Sequence, residues 1–214
     1  MIAKGLHFPN VTLVGIIYAD LALHQPDFRA GERTFQLLTQ VAGRAGRGDV
    51  EGEVFVQAFA PFHPAIQYAR RHDFPGFYEQ EMEFREQLKY PPVSRVALLT
   101  LKGRNEDKVK FSADHLKREL EKKLKENEPL TPSLSPSDGE RVSEGRVRGA
   151  FKDLIIAGPA PAPLLRAETF YRYQIMLRTR AMSKLSQALA KIIEALALPN
   201  DVTLTVDIDP VSLS

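Results

Sequence analysis

The sequence predicts an α/β protein in three parts: the closing portion of an α/β domain at 1–60, a helical connector at 61–92, and an α+β domain at 93–214. Two short apolar runs that flank one amphipathic helix predict the first part. A strand–helix–strand pattern that occurs twice predicts the last part. A chain of 214 residues exceeds the usual domain size of about 100 to 150 residues, so we expect more than one domain.

The first part is predicted to form a strand, a helix and a second strand. The runs at 11–17 and 53–59 are short and rich in β-branched residues, as buried strands are. Between them, apolar side chains recur at helical spacing within 32–45: Phe35, Leu38, Val41, Ala42 and Ala45. An α/β sheet usually has about 5 or 6 strands, so this part reads as the tail of a larger α/β domain.

The connector is predicted to be helical, broken at Pro75-Gly76 and ended by Pro91-Pro92. After it, alternating patterns predict strands and helices in the order β-α-β, β-α-β, at 96–101, 106–126, 154–157, 173–178, 183–196 and 202–208. Each helix has one apolar face, and the last strand alternates apolar and polar side chains. The simplest assembly of these elements is a ferredoxin-like, split βαβ sandwich of about 120 residues.

A segment rich in proline, glycine and serine interrupts this domain at 128–150. It has few apolar residues to offset the entropy of ordering it, and a loop of this length is unusual inside a compact domain. We therefore expect a disordered insertion, with a binding loop as the alternative.

Composition excludes several classes of protein. The hydrophobic share of 43% and the charged share of 26% are those of a soluble globular chain, with no apolar run of about 20 residues for a membrane span. The first ten residues do not resemble a signal peptide, and the chain has no cysteine for a disulfide or a thiolate metal site. We expect a cytoplasmic location. Because the net charge is only +2, any contact with nucleic acid must be local.

One local candidate is the arginine-rich stretch at 29–47, which ends in the sequence QVAGRAGR. Glycine inside a helix costs about 1 kcal/mol relative to alanine, and Gly43 and Gly46 lie three residues apart. On a helix, Gln36, Gln40 and Arg44 fall along one edge, where glycines beside them would admit a ligand or another backbone. A solvated surface helix is the alternative interpretation.

This stretch resembles helicase motif VI, QxxGRxGR, over residues 40–47. Residues 1–14 resemble motif V of the PriA family of replication restart helicases, and 26–40 resemble the segment that joins the two motifs in that family. The C-terminal domain of the family is similar at 158–163, 171–177 and 207–210. The resemblance covers nearly the whole chain except 128–150.

The resemblance implies that 1–60 belong to the second RecA-like lobe of an ATP-dependent motor, which translocates 3′ to 5′ on DNA and restarts stalled replication forks. It implies that Arg44 and Arg47 contact the terminal phosphate of ATP, with Gln40 and Gly43 beside the nucleotide. It also implies that Lys4-Gly5 links the nucleotide site to DNA. The DNA contacts that it implies are Lys4, Arg172 and Tyr173.

The cofactors implied are ATP and Mg²⁺, with zinc in a cysteine-rich segment that the family carries upstream of motif V. These residues contain neither a GxxxxGK[ST] phosphate loop nor an acidic Mg²⁺-binding motif, so we expect the chain alone to be inactive and to bind none of these groups. The partners implied are single-stranded and forked DNA, single-stranded-DNA-binding protein and other primosome proteins.

The sequence departs from the family at two positions, where Tyr18 replaces an acidic residue and Tyr173 replaces a common tryptophan. Tyr173 could stack on a base or pack within the strand. The alternative function is a non-catalytic module in which Arg166, Arg172, Arg178 and Arg180 bind single-stranded DNA or the acidic tail of single-stranded-DNA-binding protein. A third candidate is an RNA helicase of the same superfamily. It would account for the motif VI residues but leave the C-terminal half of the chain unexplained.

Overall fold

A computed structural model describes residues 11–43, 45, 52–125, 151 and 153–213. The chain divides into two compact units, one formed by 1–88 with 212–214 and the other by 89–211. The helices that the sequence assigns to a connector fall within the first unit. The predicted insertion at 128–150 lies outside the described residues.

The first unit contains a parallel pair of strands with a helix between them in sequence. Strand β1 spans Leu13–Ile16 and pairs in register with β2, which spans Glu53–Val56. A short 3₁₀ turn at Leu21–His24 leads to helix α1, Ala30–Ala42. The strand–helix–strand order agrees with the sequence pattern, although both strands are shorter than the apolar runs that predict them.

Two further helices complete the first unit: α2 at Pro64–Arg70 and α3 at Phe74–Leu88. The sequence predicts a helix break at Pro75-Gly76, and this prediction is wrong in position. Both residues lie in the first turn of α3, where a proline does not break the helix because its missing N–H would have no helical partner. The carboxylate of Asp73 caps that turn by accepting a hydrogen bond from the Gly76 N–H at 2.9 Å.

The core of the first unit joins α1 to α2 and α3. The Phe35 ring stacks on Phe77 with centroids 4.4 Å apart and planes 4° from parallel. A buried cation adds a second link, because the Arg85 guanidinium lies 2.9 Å from the carboxylates of both Glu32 and Glu81. Glu32 is in α1 and Arg85 in α3, so apolar packing and charge pairing hold the same two helices together.

Helix α2 begins at a histidine cap. The ring Nδ1 of His63 accepts a hydrogen bond from the Ala65 N–H at 3.2 Å, which requires an unprotonated nitrogen. Burial lowers the pKa of His63 below its ordinary value, against the opposing influence of the Glu81 and Asp20 carboxylates. The neutral ring is therefore the form that the folded unit favours.

We expect this cap to make the first unit less stable in mild acid. Unfolded His63 takes up a proton near pH 6.5 and the folded ring only at lower pH, so stability falls as pH drops through that interval. Substitution His63→Asn keeps an acceptor at the cap without a titrating group. Urea midpoints between about pH 5 and 7 should therefore depend less on pH in the variant. Parallel pH profiles for the two proteins would contradict this role.

The second unit is an antiparallel sheet with two helices. In chain order its elements are β3 Arg95–Gly103, α4 Glu106–Lys125, β4 Ile155–Ala167, β5 Phe170–Thr179, α5 Met182–Glu194 and β6 Val202–Ile208. The strands lie in the order β4-β5-β3-β6, and each neighbouring pair is antiparallel. This order and these directions are those of a split βαβ sandwich.

The two helices cover one face of this sheet. Apolar side chains from both helices and from the strands form the core there, including Leu99, Leu116, Ile175, Leu177, Leu185 and Leu189. Alternate strand residues point to the opposite side. We call the polar part of this side the open face and define it by residues of β3, β5 and β6: Thr100, Lys102, Arg172, Gln174, Thr203 and Thr205. Towards the other end of the strands the same side carries the buried residues Val96 and Leu98.

Strand β4 is much longer than the sequence predicts. The predicted strand covers 154–157, whereas β4 continues to Ala167 through Pro159, Pro161 and Pro163. A sheet tolerates these prolines at its edge, where β4 pairs with β5 alone. The register shifts on both sides of the Ala160 and Pro161 pairs, so the ladder is irregular where the prolines lie.

Gly158 permits a close approach of β4 to β5. Its φ of +102° lies in a region that side chains other than glycine rarely adopt, and a Cβ there would meet the Gln174 carbonyl oxygen at 2.6 Å. The glycine therefore has a structural role at this irregularity. No helix within the described ranges is long and apolar enough to cross a membrane.

Candidate functional site

Helix α1 carries the start of the predicted nucleotide-contacting motif. Its buried side is formed by Thr34, Phe35 and Leu38, while Gln36 and Gln40 are exposed. The hydroxyls of Thr34 and Thr39 donate to backbone carbonyls four residues earlier, so both polar side chains are satisfied within the helix. The helix thus presents the glutamine edge that the sequence spacing predicts.

The helix ends at Ala42, three residues before the predicted end at Ala45. The N–H of Gly43 donates to the Thr39 carbonyl at 3.1 Å and closes the last turn. A Cβ at Gly43 would meet the Thr39 and Gln40 carbonyl oxygens at 3.6 and 3.8 Å, which are ordinary contact distances. These neighbours do not require a glycine at position 43. The missing side chain instead leaves space for a ligand or another backbone that approaches the end of the helix from outside.

Gln40 and Gly43 therefore lie at the C-terminal end of α1, on an exposed surface. Arg44, Arg47, Lys4 and Gly5 lie outside the described residues, and their predicted roles remain predictions.

The other two arginines of the 29–47 cluster have local partners. Asp27 accepts a hydrogen bond from the Arg29 N–H at 3.0 Å, and its second carboxylate oxygen lies 3.0 Å from the Arg33 guanidinium. The Arg29 guanidinium also lies 4.2 Å from the centre of the Phe28 ring. Asp27, the acid just before the arginine-rich stretch, therefore offsets part of its charge. Arg29 and Arg33 help to shape the start of α1.

Asp20 joins the two chain segments that follow the parallel strands. It is fully buried, and its carboxylate accepts a hydrogen bond from the Ala60 N–H at 2.7 Å. Burial raises the pKa of Asp20, but backbone N–H donors outweigh this effect and hold the pKa below its ordinary value. Tyr18, which replaces the family's acidic residue, instead packs edge-on against Phe59 with ring centroids 5.2 Å apart.

Tyr173, a predicted DNA contact, lies in the core of the second unit. Its side chain is buried, and its hydroxyl donates a hydrogen bond to the Glu106 carboxylate at 3.1 Å. Burial and the acceptor Glu106 both raise the pKa of this hydroxyl. This placement favours the packing role that the sequence left open for the ring. The DNA contact itself stays a prediction.

Arg172, the other predicted DNA contact in this unit, is half-buried on the open face. Its Nε donates to the Leu164 carbonyl at 3.1 Å, which joins β5 to β4. Within the ranges that the structure describes, no three His, Asp or Glu side chains are grouped to hold a metal ion.

Arg172 belongs to a basic and aromatic cluster that the sequence predicts only in part, since it indicates Arg166 and Arg172 but not Lys102, Arg104 or Phe170. The Lys102 ammonium lies 4.3 Å from the centre of the Phe170 ring, and the Arg104 guanidinium lies 5.6 Å from it. Across the hairpin, Arg166 lies 5.4 Å from the centre of the Tyr171 ring. Lys102 and Arg104 are far from Phe170 and Arg172 in sequence, and the pairing of β3 with β5 brings them together. Arg166 and Tyr171 are neighbours across the β4–β5 hairpin, on the other side of the sheet from Phe170 and Arg172.

The fold and these surfaces define a mixed α/β protein whose second unit is a split βαβ domain with a local basic surface. The chain belongs to the family described as primosomal protein N C-terminal domain, which matches residues 86–211. The match begins near the end of α3 and covers all of the second unit. The predicted relation to the PriA family is confirmed.

Curated relatives extend the likeness over the first unit. The chain is 39% identical to the replication restart protein PriA of Bacillus subtilis (strain 168), over 91% of this chain and 21% of that protein. It is 38% identical to the protein of the same name from Synechocystis, over 100% of this chain and 22% of that protein. The Rickettsia felis protein is 36% identical, with 99% and 28% covered. The chain therefore spans between a fifth and three tenths of the length of these relatives.

Proposed function

We propose that this chain is the C-terminal part of an ATP-dependent 3′-to-5′ DNA helicase that restarts stalled replication forks and begins primosome assembly. One observation carries the proposal: in a chain of this family, the exposed glutamine edge of α1 leads directly into the GRAGR segment that starts at Gly43. The parallel pair β1–β2 on either side of α1 fits the closing part of a RecA-like lobe.

In the complete motor, Arg44 and Arg47 contact the terminal phosphate, while Gln40 and Gly43 lie beside the nucleotide. The ordinary contacts around Gly43 support this arrangement, because the glycine leaves room for an outside group. ATP bound there would supply the phosphoryl group, and Mg²⁺ would supply positive charge beside it. Lys4-Gly5 couples the nucleotide to DNA. Zinc belongs to a segment of the longer protein upstream of motif V.

The partners that fit this function are single-stranded and forked DNA, single-stranded-DNA-binding protein and other primosome proteins, and the place of action is the cytoplasm. The name "replication restart protein", which the relatives carry, supports the assignment of DNA and primosome proteins as partners. The basic cluster around Arg172 supports a DNA contact in the second unit, because cations beside aromatic rings suit a single strand.

We expect the chain alone to show no ATP turnover, since its 214 residues contain no phosphate loop. A coupled ATPase assay with single-stranded DNA tests this expectation, with the full-length protein as the positive control. Turnover by the chain would contradict the assignment of half an ATP site. A full-length protein without DNA-dependent turnover would contradict the helicase function itself.

The second candidate function is a non-catalytic module that binds single-stranded DNA or the acidic tail of single-stranded-DNA-binding protein. The exposed Arg166 and Arg180 and the half-buried Arg172 and Arg178 favour it. The gene sequence upstream of this chain distinguishes the two candidate functions. A phosphate loop encoded there would assign the chain to a motor.

A further inference from the structure

Strand β6 is an outer strand of the second unit. Among the described residues it pairs with β3 alone, so its other side has no neighbouring strand. Outer strands commonly avoid pairing with other molecules through prolines and charged side chains. The seven residues of β6 contain no proline and a single charged residue, Asp207. The outer side of β6 is therefore open to another strand.

The hydrogen bonds to β3 show which backbone groups lie on this outer side. The Asp209 N–H donates to the Val96 carbonyl at 2.8 Å, and these two residues continue the register of Ala97 with Ile208. Bonded and non-bonded positions alternate along an antiparallel pair, so the odd-numbered residues of β6 bond to β3. The N–H and C=O groups of the others point away from β3. Those with no further hydrogen bond within the described part of the chain are Leu204, Val206 and Ile208.

The apolar residues of β6 match a second copy of the strand that runs in the opposite direction. If a twofold axis passes beside Thr205, the whole of β6 is paired with its copy. Leu204 then lies opposite Val206, and their outward N–H and C=O groups form a bonded pair. Val202 lies opposite Ile208, whose side chain is 37% exposed in the single chain. Pairing in this register therefore covers apolar surface as well as backbone groups.

The polar residues of β6 match in the same register. Thr205 lies opposite Thr205 of the second copy, and cross-strand threonine pairs stabilise antiparallel sheets. Asp207 lies opposite Thr203, whose hydroxyl can donate to the carboxylate. All three side chains are exposed in the single chain. No two like charges face each other within the paired strands.

The acids just beyond the ends of β6 have cations in their own copy. In this register Asp201 would lie near Asp209 of the second copy. The Lys108 ammonium lies 2.9 Å from the Asp201 carboxylate, and the Arg95 Nε donates to the Asp209 carboxylate at 2.8 Å. These two ion pairs offset the repulsion between the carboxylates.

We propose that two copies of this chain pair through β6, in an antiparallel register centred on Thr205, so that their four-stranded sheets join into one. The helices of both copies then cover the same side of the joined sheet. One strand from each copy makes a small interface, so the dimer is weak and depends on concentration. The proposal concerns the outer side of β6 and does not depend on the proposed function.

Sedimentation velocity across a concentration series measures this pairing. The Val206 N–H points away from β3, so Val206→Pro removes two symmetry-related hydrogen bonds of the dimer and leaves the bonds to β3 in place. Val206→Ala is the matched control, because it loses the same side chain and keeps the N–H. We expect the proline variant to dimerise about 10-fold more weakly than the alanine variant, or worse.

A disulfide tests the register without a proline variant. The chain has no cysteine, so Thr205→Cys introduces a single thiol. In the proposed dimer the two Cα atoms at this non-bonded position lie about 4.5 Å apart, within the range of a disulfide. Thr203→Cys is the control at an exposed position on the same side, and its two copies lie roughly 13 Å apart. We expect mild oxidation to give a covalent dimer of Thr205→Cys alone.

Three results would overturn the proposal. The first is an unmodified chain that stays monomeric at every concentration. The second is equal dimerisation of the Val206→Pro and Val206→Ala variants. The third is a covalent dimer that forms as readily from Thr203→Cys as from Thr205→Cys. ATP turnover of the full-length protein tests the proposed function separately, so failure of one proposal leaves the other standing.

Discussion

In the full-length protein, Arg44→Ala is expected to lower ATP turnover by about 10³-fold or more and to leave DNA binding intact. The guanidinium would stabilise charge that develops on the transferred phosphoryl group, and the substitution removes one of the two arginines, Arg44 and Arg47, that are proposed to contact the terminal phosphate. Arg44→Lys should recover only part of the rate, because lysine keeps the charge and loses the planar fork.

Arg71→Ala is the matched control, since Arg71 is an exposed arginine of the same unit that follows α2. It should change turnover by less than about 3-fold. Steady-state ATPase rates at saturating single-stranded DNA measure the effect, and anisotropy of a labelled strand measures binding. A turnover in Arg44→Ala equal to that of the unmodified protein would rule out the phosphate-contacting role.

The second large effect is expected on stability, from Phe35→Ala in α1. The Phe35 side chain is 5% exposed and stacks on Phe77, so its loss removes buried apolar contacts and leaves a cavity beside α3. Such truncations cost about 3 to 5 kcal/mol. Phe62→Ala is the same substitution at a side chain that is 87% exposed, and it should cost less than about 0.5 kcal/mol.

Hydrogen exchange measured by mass spectrometry reports on the stability of each unit separately, whereas a single unfolding curve does not. Peptides from α1 and α3 should exchange at least about a hundredfold faster in Phe35→Ala, while peptides from β3 and β5 should be unchanged. Equal acceleration in both units would mean that they unfold together, and no acceleration would mean that the stacked pair does not support α1.

The elements that the sequence predicted well are those with a regular apolar period. Helices α4 and α5 and strand β6 have uninterrupted periodicity. The bounds of β6 are those predicted, and the bounds of α4 and α5 differ from the predicted ones by one or two residues at an end. Strand β4 has no such period beyond Ala157, because the alternating prolines hide the strand pattern. Its length follows from pairing with β5, which is a tertiary effect that local sequence does not contain.

The candidate site residues also divide into those that local periodicity predicts and those that depend on strand pairing. The glutamine edge of α1 follows from helical spacing alone, so Gln36 and Gln40 were placed correctly on an exposed face. The cluster of Lys102 and Arg172 depends on strand register, and residues 70 positions apart give no local signal of it. Tyr173 shows the opposite case, because its two-residue spacing from the core residues Ile175 and Leu177 is a local signal that would have placed its ring in the core.

The prolines of β4 also bear on how the protein behaves at high concentration. An edge strand with a full row of amide hydrogens is a template on which another molecule can add a strand, and this is a common start of aggregation. Pro159, Pro161 and Pro163 remove three of those donors from the outer strand of this sheet. Replacing them by alanine would restore three N–H donors to this strand, and we expect that change to favour edge-to-edge association of copies of the chain.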